Sequence, residues 1–172
     1  MESIKNQIEE KVLEYITIAE KMSGHTFPMP SIRFDLRGRC AGQYCVKVSR
    51  YTGITSNEYF RFNVEMAVQN GQAFIDRTVP HEVAHFIARH LHYGKNVGHD
   101  YRWQNIMTQY FKSDPSRCHN YDMENVTVKR QRRIEYRCAC QSHEITTARH
   151  NKVLRGTVYT CRSCREPIKL VA

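Results

Sequence analysis

The sequence predicts an α+β fold in two units, and three observations carry that expectation. A helix-period apolar stripe opens the chain, short period-two segments follow it, and a basic, cysteine-rich segment closes it. The first unit spans residues 1–128 and the second 129–172. With 41% hydrophobic residues in 172, the chain can bury one good core plus a small satellite.

The elements follow in order. Ile4, Ile8, Val12, Tyr15, Ile16 and Ala19 make one face of an amphipathic helix that ends near Gly24. Pro28 and Pro30 break the chain before three alternating segments: Ile32, Phe34, Leu36; Tyr44, Val46, Val48; and Phe60, Phe62, Val64. These read as a small antiparallel sheet with one buried face, with turns at Gly38, Gly42 and Gly53. Cys40 and Cys45 near the first turn read as ordinary thiols. Gly71 precedes a second helix, with Thr78 as a cap and Pro80 in the first turn. In it Ala84, Ile87, Ala88 and Leu91 form the core-facing stripe. Gly94 and Gly98 bracket a turn, and Trp103, Ile106, Met107 and Tyr110 mark a further helix. The first unit closes near Asn125. The second starts near Ile134, and Glu144–Thr147 with Val153–Tyr159 reads as a hairpin turning near Asn151.

His81-Glu82-Val83-Ala84-His85 carries the chemistry. Helical residues four apart share a face, so His81 and His85 can offer imidazole nitrogens to one Zn²⁺ while Glu82 takes a proton from a metal-bound water. That pattern predicts zinc-dependent peptide hydrolysis. For the third ligand, His92 lies too far along the helix axis and His90 points off the ligand face. His99, one turn before Trp103 on the next stripe, is the choice, with Asp100 as the alternative ligand or an orienting acceptor. A metzincin pattern is excluded, because it needs Gly and His where this chain has Ala88 and Leu91. Tyr93, Tyr101 and His119 are available by type as oxyanion donors, and spacing selects none of them.

The last 44 residues carry a second metal signature. Tyr136-Arg137-Cys138 and Tyr159-Thr160-Cys161 repeat an aromatic-x-Cys pattern, and Cys161 and Cys164 have zinc-knuckle spacing. Cys138, Cys140 and His143 offer three donors for the two remaining places of a structural zinc. Two zinc ions are therefore expected, one catalytic and one structural. Seven cysteines is an odd number, and the four in the last 35 residues stand at metal-ligand spacing, which points to a reducing cytoplasm. The N-terminus has no signal-peptide pattern, and no stretch is apolar enough for a membrane span.

Charge is uneven. Residues 129–172 hold 11 Lys or Arg against 3 Asp or Glu, a net of +8, whereas 1–128 hold 15 against 14, a net of +1. Lys129, Arg130, Arg132 and Arg133 begin the basic module, and Arg137, Arg149, Lys152 and Arg155 continue it. A basic module on a neutral body predicts a polyanion partner, DNA above all, alongside a protein substrate. A monomer is expected.

Taken together the motifs resemble the SprT-like metalloproteases, the bacterial and phage relatives of Spartan. The resemblance rests on Arg33-Phe34-Asp35-Leu36-Arg37-Gly38 with Ala41-Gly42, on Asn70 to Asp76 leading into Val79-Pro80 and the histidine motif, and on Gly98-His99 with Tyr101-Arg102-Trp103. It continues through Tyr136 to Gln141 with His143, Arg149-His150-Asn151, and the Cys161–Cys164 knuckle. It implies a minigluzincin-like α+β protease domain with an appended zinc ribbon, His81, His85 and His99 as zinc ligands, and Glu82 as general base. In Spartan the activity is directed at DNA-crosslinked proteins and switched on by DNA. Two other readings stay open: an antirepressor-type protease that cuts one regulator, and a non-proteolytic nucleic-acid-binding protein. The intact Glu82 weighs against the second, since a structural zinc has no use for a base.

Overall fold

The computed structural model describes residues 2–49, 51–53, 55–92, 97–128 and 132–171. It divides into two compact units, Met1–Val128 and Lys129–Ala172. In the first, helix α1 (Glu2–Ser23) buries Ile8, Val12, Tyr15, Ile16 and Ala19 along one stripe. It stops at Gly24, whose φ of 71° is the left-handed conformation that favours glycine after a helix.

Strands β1 (Ser31–Arg33), β2 (Gly42–Val48) and β3 (Thr55–Phe62) form a sheet of order β1-β3-β2. β2 and β3 pair antiparallel, from Gly42↔Phe62 to Val48↔Thr55. β1 pairs parallel with β3, Ile32 opposite Phe60, so the all-antiparallel expectation is corrected. After Arg33 the chain leaves the sheet and re-enters as β2 on the opposite edge of β3, so no hairpin joins β1 to β3 and nothing imposes antiparallel pairing on them. Val64 does not extend β3 either. The Asn63 side chain accepts from Met66 N and starts helix α2 (Val64–Asn70), which the period-two reading missed.

Helix α3 (Gln72–Leu91) starts directly after Gly71, earlier than expected, and takes Thr78 and Pro80 into its interior. An interior proline costs about 3 kcal/mol through its missing N–H and its steric clash. Phe74, Ile75 and Val79, each at most 3% exposed, offset this, since burying such a side chain contributes about 1.5–3 kcal/mol. Thr78 is no cap; its hydroxyl pairs with the Tyr121 hydroxyl at 2.9 Å. Helix α4 (Tyr101–Asn105) passes into a π-helical turn, Ile106–Tyr110, which together bury Trp103, Ile106 and Met107. Around α3 the core is aromatic, with Phe60, Phe62, Phe74 and Phe86 all fully buried.

In the second unit β4 (Arg133–Arg137), β5 (Ser142–Thr146) and β6 (Lys169–Leu170) form an antiparallel sheet of order β5-β4-β6. The expected hairpin around Asn151 is instead helix α5 (Thr147–Leu154), begun by the Thr146 side chain accepting from Arg149 N. Side-chain capping thus won over β-propensity at Thr146 and Thr147. Tyr136, Ile145 and Cys161 are its buried apolar residues. Among the described residues no helix is long and apolar enough to cross a membrane.

Candidate metal centres

One face of α3 presents His81 and His85 a turn apart, and His99 reaches them from the segment before α4. His99 Nε2 lies 3.0 Å from His81 Nε2 and 3.2 Å from His85 Nε2, and the three offer ligand atoms within 4.8 Å of one another. A tetrahedral ion with N ligands at about 2.0–2.1 Å separates those nitrogens by about 3.3 Å, so the spacing fits one. The rings are also in the protonation state a metal needs. Burial, with smaller contributions from His99 and Arg77, pushes His81 down to about 4. Burial and the neighbouring His81 push His85 down to about 3, which keeps both imidazoles neutral with free lone pairs.

The sequence expected His99 on a ligand helix; it precedes that helix. Asp100, the alternative ligand, is the α4 N-cap, with its carboxylate accepting from Arg102 N at 3.0 Å and from the Arg102 guanidinium. Those bonds hold its pKa below the usual carboxylate range and turn it away from the histidines. Trp103, fully buried, is the platform that periodicity recorded only as core. Its ring centroid lies 4.8, 5.5 and 4.7 Å from those of His81, His85 and His99, and its Nε1 donates to the His81 carbonyl at 3.2 Å. The same residue therefore supports all three rings.

Glu82 is 7% exposed and reaches β2, where Tyr44 N–H donates to its Oε2 at 2.7 Å. Burial pushes its carboxyl up to about 7, against the opposing pull of that hydrogen bond. A carboxylate poised near neutrality can both take up and release a proton. Its space exists because Gly42 lacks a side chain. A Cβ there would lie 2.7 Å from Glu82 Cγ and 2.7 Å from Thr78 Cγ2. Neither the Tyr44 amide nor the Gly42 gap has a sequence signature, since both arise from β2 lying against α3.

Of the three oxyanion candidates, His119 lines the cavity that contains His81 and Glu82. Tyr101 is 75% exposed, and Tyr93 lies outside the described residues. Cys40 also lines that cavity, and among the described residues neither it nor Cys45 belongs to a group that could hold a metal.

In the second unit Cys138, Cys140, Cys161 and Cys164 bring their sulfurs within 4.8 Å of one another. Cys138 Sγ is 3.4 Å from Cys140 Sγ, and Cys140 Sγ is 3.6 Å from Cys161 Sγ. The tetrahedral edge for metal–sulfur bonds of about 2.3 Å is about 3.8 Å. Of the five candidates the four cysteines converge. His143 sits outside them, its Nε2 3.3 Å from Cys138 Sγ. The backbone N–H of Cys164 and the Gln141 side chain hold Cys161 below the usual thiol range, while hydrogen bonding with Cys138 raises Cys140. Four sulfurs this close cannot all ionise without a cation between them.

The basic residues of this unit are solvent-facing: Arg132, Arg133, Arg137, Arg149, Lys152 and Arg155 are all exposed. Arg137 stands opposite Lys169 across the β4–β6 pair, a like-charge juxtaposition that an anion relieves. Lys129 and Arg130 lie outside the described residues.

Residues 12–130 match the SprT-like family. Protein SprT of Shewanella oneidensis is 36% identical over 168 residues, covering 97% of this chain and 99% of its own. Protein SprT of Vibrio parahaemolyticus is 32% identical, covering 91% and 88%, and that of Yersinia pestis 35%, covering 91% and 85%. No solved structure matches. With the family's pattern matched over residues 12–130 and relatives matched along nearly the whole length, this chain belongs to the SprT-like family.

Proposed function

We propose that the chain is a zinc endopeptidase that acts on DNA-associated proteins, with a minigluzincin-like catalytic domain followed by a basic zinc ribbon. The observation that carries this is the convergence of three imidazoles, with His99 Nε2 3.0 and 3.2 Å from those of His81 and His85, beside a buried carboxylate with a raised pKa. His81, His85 and His99 would hold a zinc ion, which would supply Lewis acidity toward a water and a peptide carbonyl. Glu82 accepts the proton of the attacking water and delivers it to the leaving amine. The Tyr44 amide fixes one carboxylate oxygen for both transfers. Trp103 holds the imidazoles in register.

The ribbon zinc, on Cys138, Cys140, Cys161 and Cys164, is structural. The DNA partner is supported by the net +8 of residues 129–172 and by the exposure of their basic side chains.

The test is proteolysis of a loosely folded basic protein, with and without single-stranded DNA. Wild type is expected to cut faster with DNA, and Glu82→Gln to lose activity by a factor on the order of 10² or more while keeping its metal. Equal cleavage by Glu82→Gln contradicts the assignment of the base. Cleavage indifferent to DNA favours a protease directed at a single regulator.

A further inference from the structure

The cavity beside His81 and Glu82 has three arginines in its wall. Its volume is about 450 Å³, and Arg39, Arg77, Arg117 and His119 contribute to its lining. Arg77 is fixed in place, its Nη2 donating to Ser116 Oγ at 2.9 Å and to the Cys118 carbonyl at 2.6 Å. His119 Nε2 lies 3.3 Å from the Arg39 carbonyl, which ties the 116–119 loop to the segment entering β2, so these groups share one rim. Among the described residues none of the three arginines is ion-paired with a carboxylate. Glu82, the acidic residue among those lining the cavity, is buried and engaged by Tyr44 N–H. The arginines thus outnumber the one carboxylate of the cleft, which is buried and engaged, and leave a net positive field at its rim.

Building on the peptidase reading, we propose that this cavity is a specificity subsite that receives the carboxylate side chain of an Asp or Glu beside the scissile bond. Its position argues for substrate, because the cavity that holds the arginines also reaches His81 and Glu82, so whatever sits in it belongs to the molecule being cut. Its shape argues for a side chain. Single-stranded nucleic acid needs cations tracking a backbone over several nucleotides, whereas these ring one concavity. Guanidinium also matches carboxylate geometry, two parallel N–H donors to two oxygens.

The experiment measures fluorescence anisotropy of short labelled Ala/Gly peptides with one central Glu, Gln or Lys, titrated with the full-length, zinc-loaded Glu82→Gln protein. The Glu peptide is expected to bind about tenfold more tightly than the Lys peptide, with Gln between. Adding Arg39→Glu and Arg117→Glu should abolish or reverse that order. Wild type cutting the same peptides should rank them alike by kcat/KM. Equal binding of the three peptides, or a Glu preference that survives both reversals, overturns the subsite. It is overturned too if an oligodeoxynucleotide displaces the Glu peptide and loses its own affinity on the same reversals, since the rim then serves phosphate. If wild type cuts none of the peptides while the Glu preference in binding persists and depends on the arginines, the peptidase reading fails and the subsite stands.

Discussion

Gly42 leaves the site little room for change, because the Glu82 carboxylate it makes room for cannot move without losing its hydrogen bond. A Cβ at 2.7 Å from both Glu82 Cγ and Thr78 Cγ2 forces either β2 or the Glu82 side chain to shift. Gly42→Ala is therefore expected to cost about 1–3 kcal/mol of stability and to lower peptide hydrolysis about tenfold or more, read by urea unfolding and by peptidase rate at matched zinc content. Unchanged values of both contradict the packing described. The titratable groups give a second expectation, for the metal-free chain. His81 and His85 titrate near 4 and 3 in the folded state and near about 6.5 unfolded. Below that pH the unfolded chain binds more protons, so stability falls as pH falls. Glu82 opposes them, because its raised folded pKa favours the folded state at low pH and loses that contribution as pH rises through about 7. Two histidines outweigh one carboxylate, so the urea midpoint of chelated protein should fall between about pH 6 and pH 4.5, and fall more steeply in Glu82→Gln. A flat midpoint over that interval contradicts the burial of the two rings. At this scale the histidine motif was legible, since ligand spacing on one helix is a local property. Tyr44 and Gly42 were not, since their roles depend on contacts 36 residues or more apart in sequence.

At the scale of elements, the segment ahead of α4 separates two neighbouring residues into two jobs. Asp100 caps the helix and binds Arg102, while His99 faces His81 and His85. Asp100→Ala should cost about 1 kcal/mol, the ordinary loss for an N-cap, and keep the zinc. His99→Ala should lose zinc from the first unit, measured by elemental analysis after dialysis. The reverse outcome, metal lost with Asp100 and retained without His99, contradicts the ligand set. Periodicity found α1, α3 and the Trp103 stripe because each buries one broad face. It placed the start of α3 late because Pro80 resembles a first-turn residue, and the cost of an interior proline is repaid by burial that only the folded chain makes evident. It missed α2 and α5 for one shared reason: each is short and begins on a side-chain cap, Asn63 or Thr146, after a strand whose alternation masks the change of period. The direction of β1 was likewise illegible, since three residues paired with a strand more than twenty positions later carry no signal of orientation.

For the whole molecule, division of labour is written in charge and ligand type. The first unit, with a net charge of +1, holds three convergent imidazoles beside a buried carboxylate; the second, at +8, holds four convergent sulfurs. An ion held by thiolates alone has no open position, whereas three imidazoles leave one for water and substrate. That contrast was readable from residue types and spacing, including the excess of candidate donors in the second unit. Choosing the four cysteines over His143 required their distances. The most direct test is the initial rate of peptide hydrolysis as zinc is returned to wild-type protein whose histidine site has been emptied by a brief chelator treatment, with Glu82→Gln treated in parallel. The rate should rise in proportion to zinc and level off at one equivalent per chain, while Glu82→Gln binds the same equivalent and stays inactive. Full hydrolysis before any zinc is returned, or equal recovery in Glu82→Gln, would contradict a peptidase built on His81, His85, His99 and Glu82.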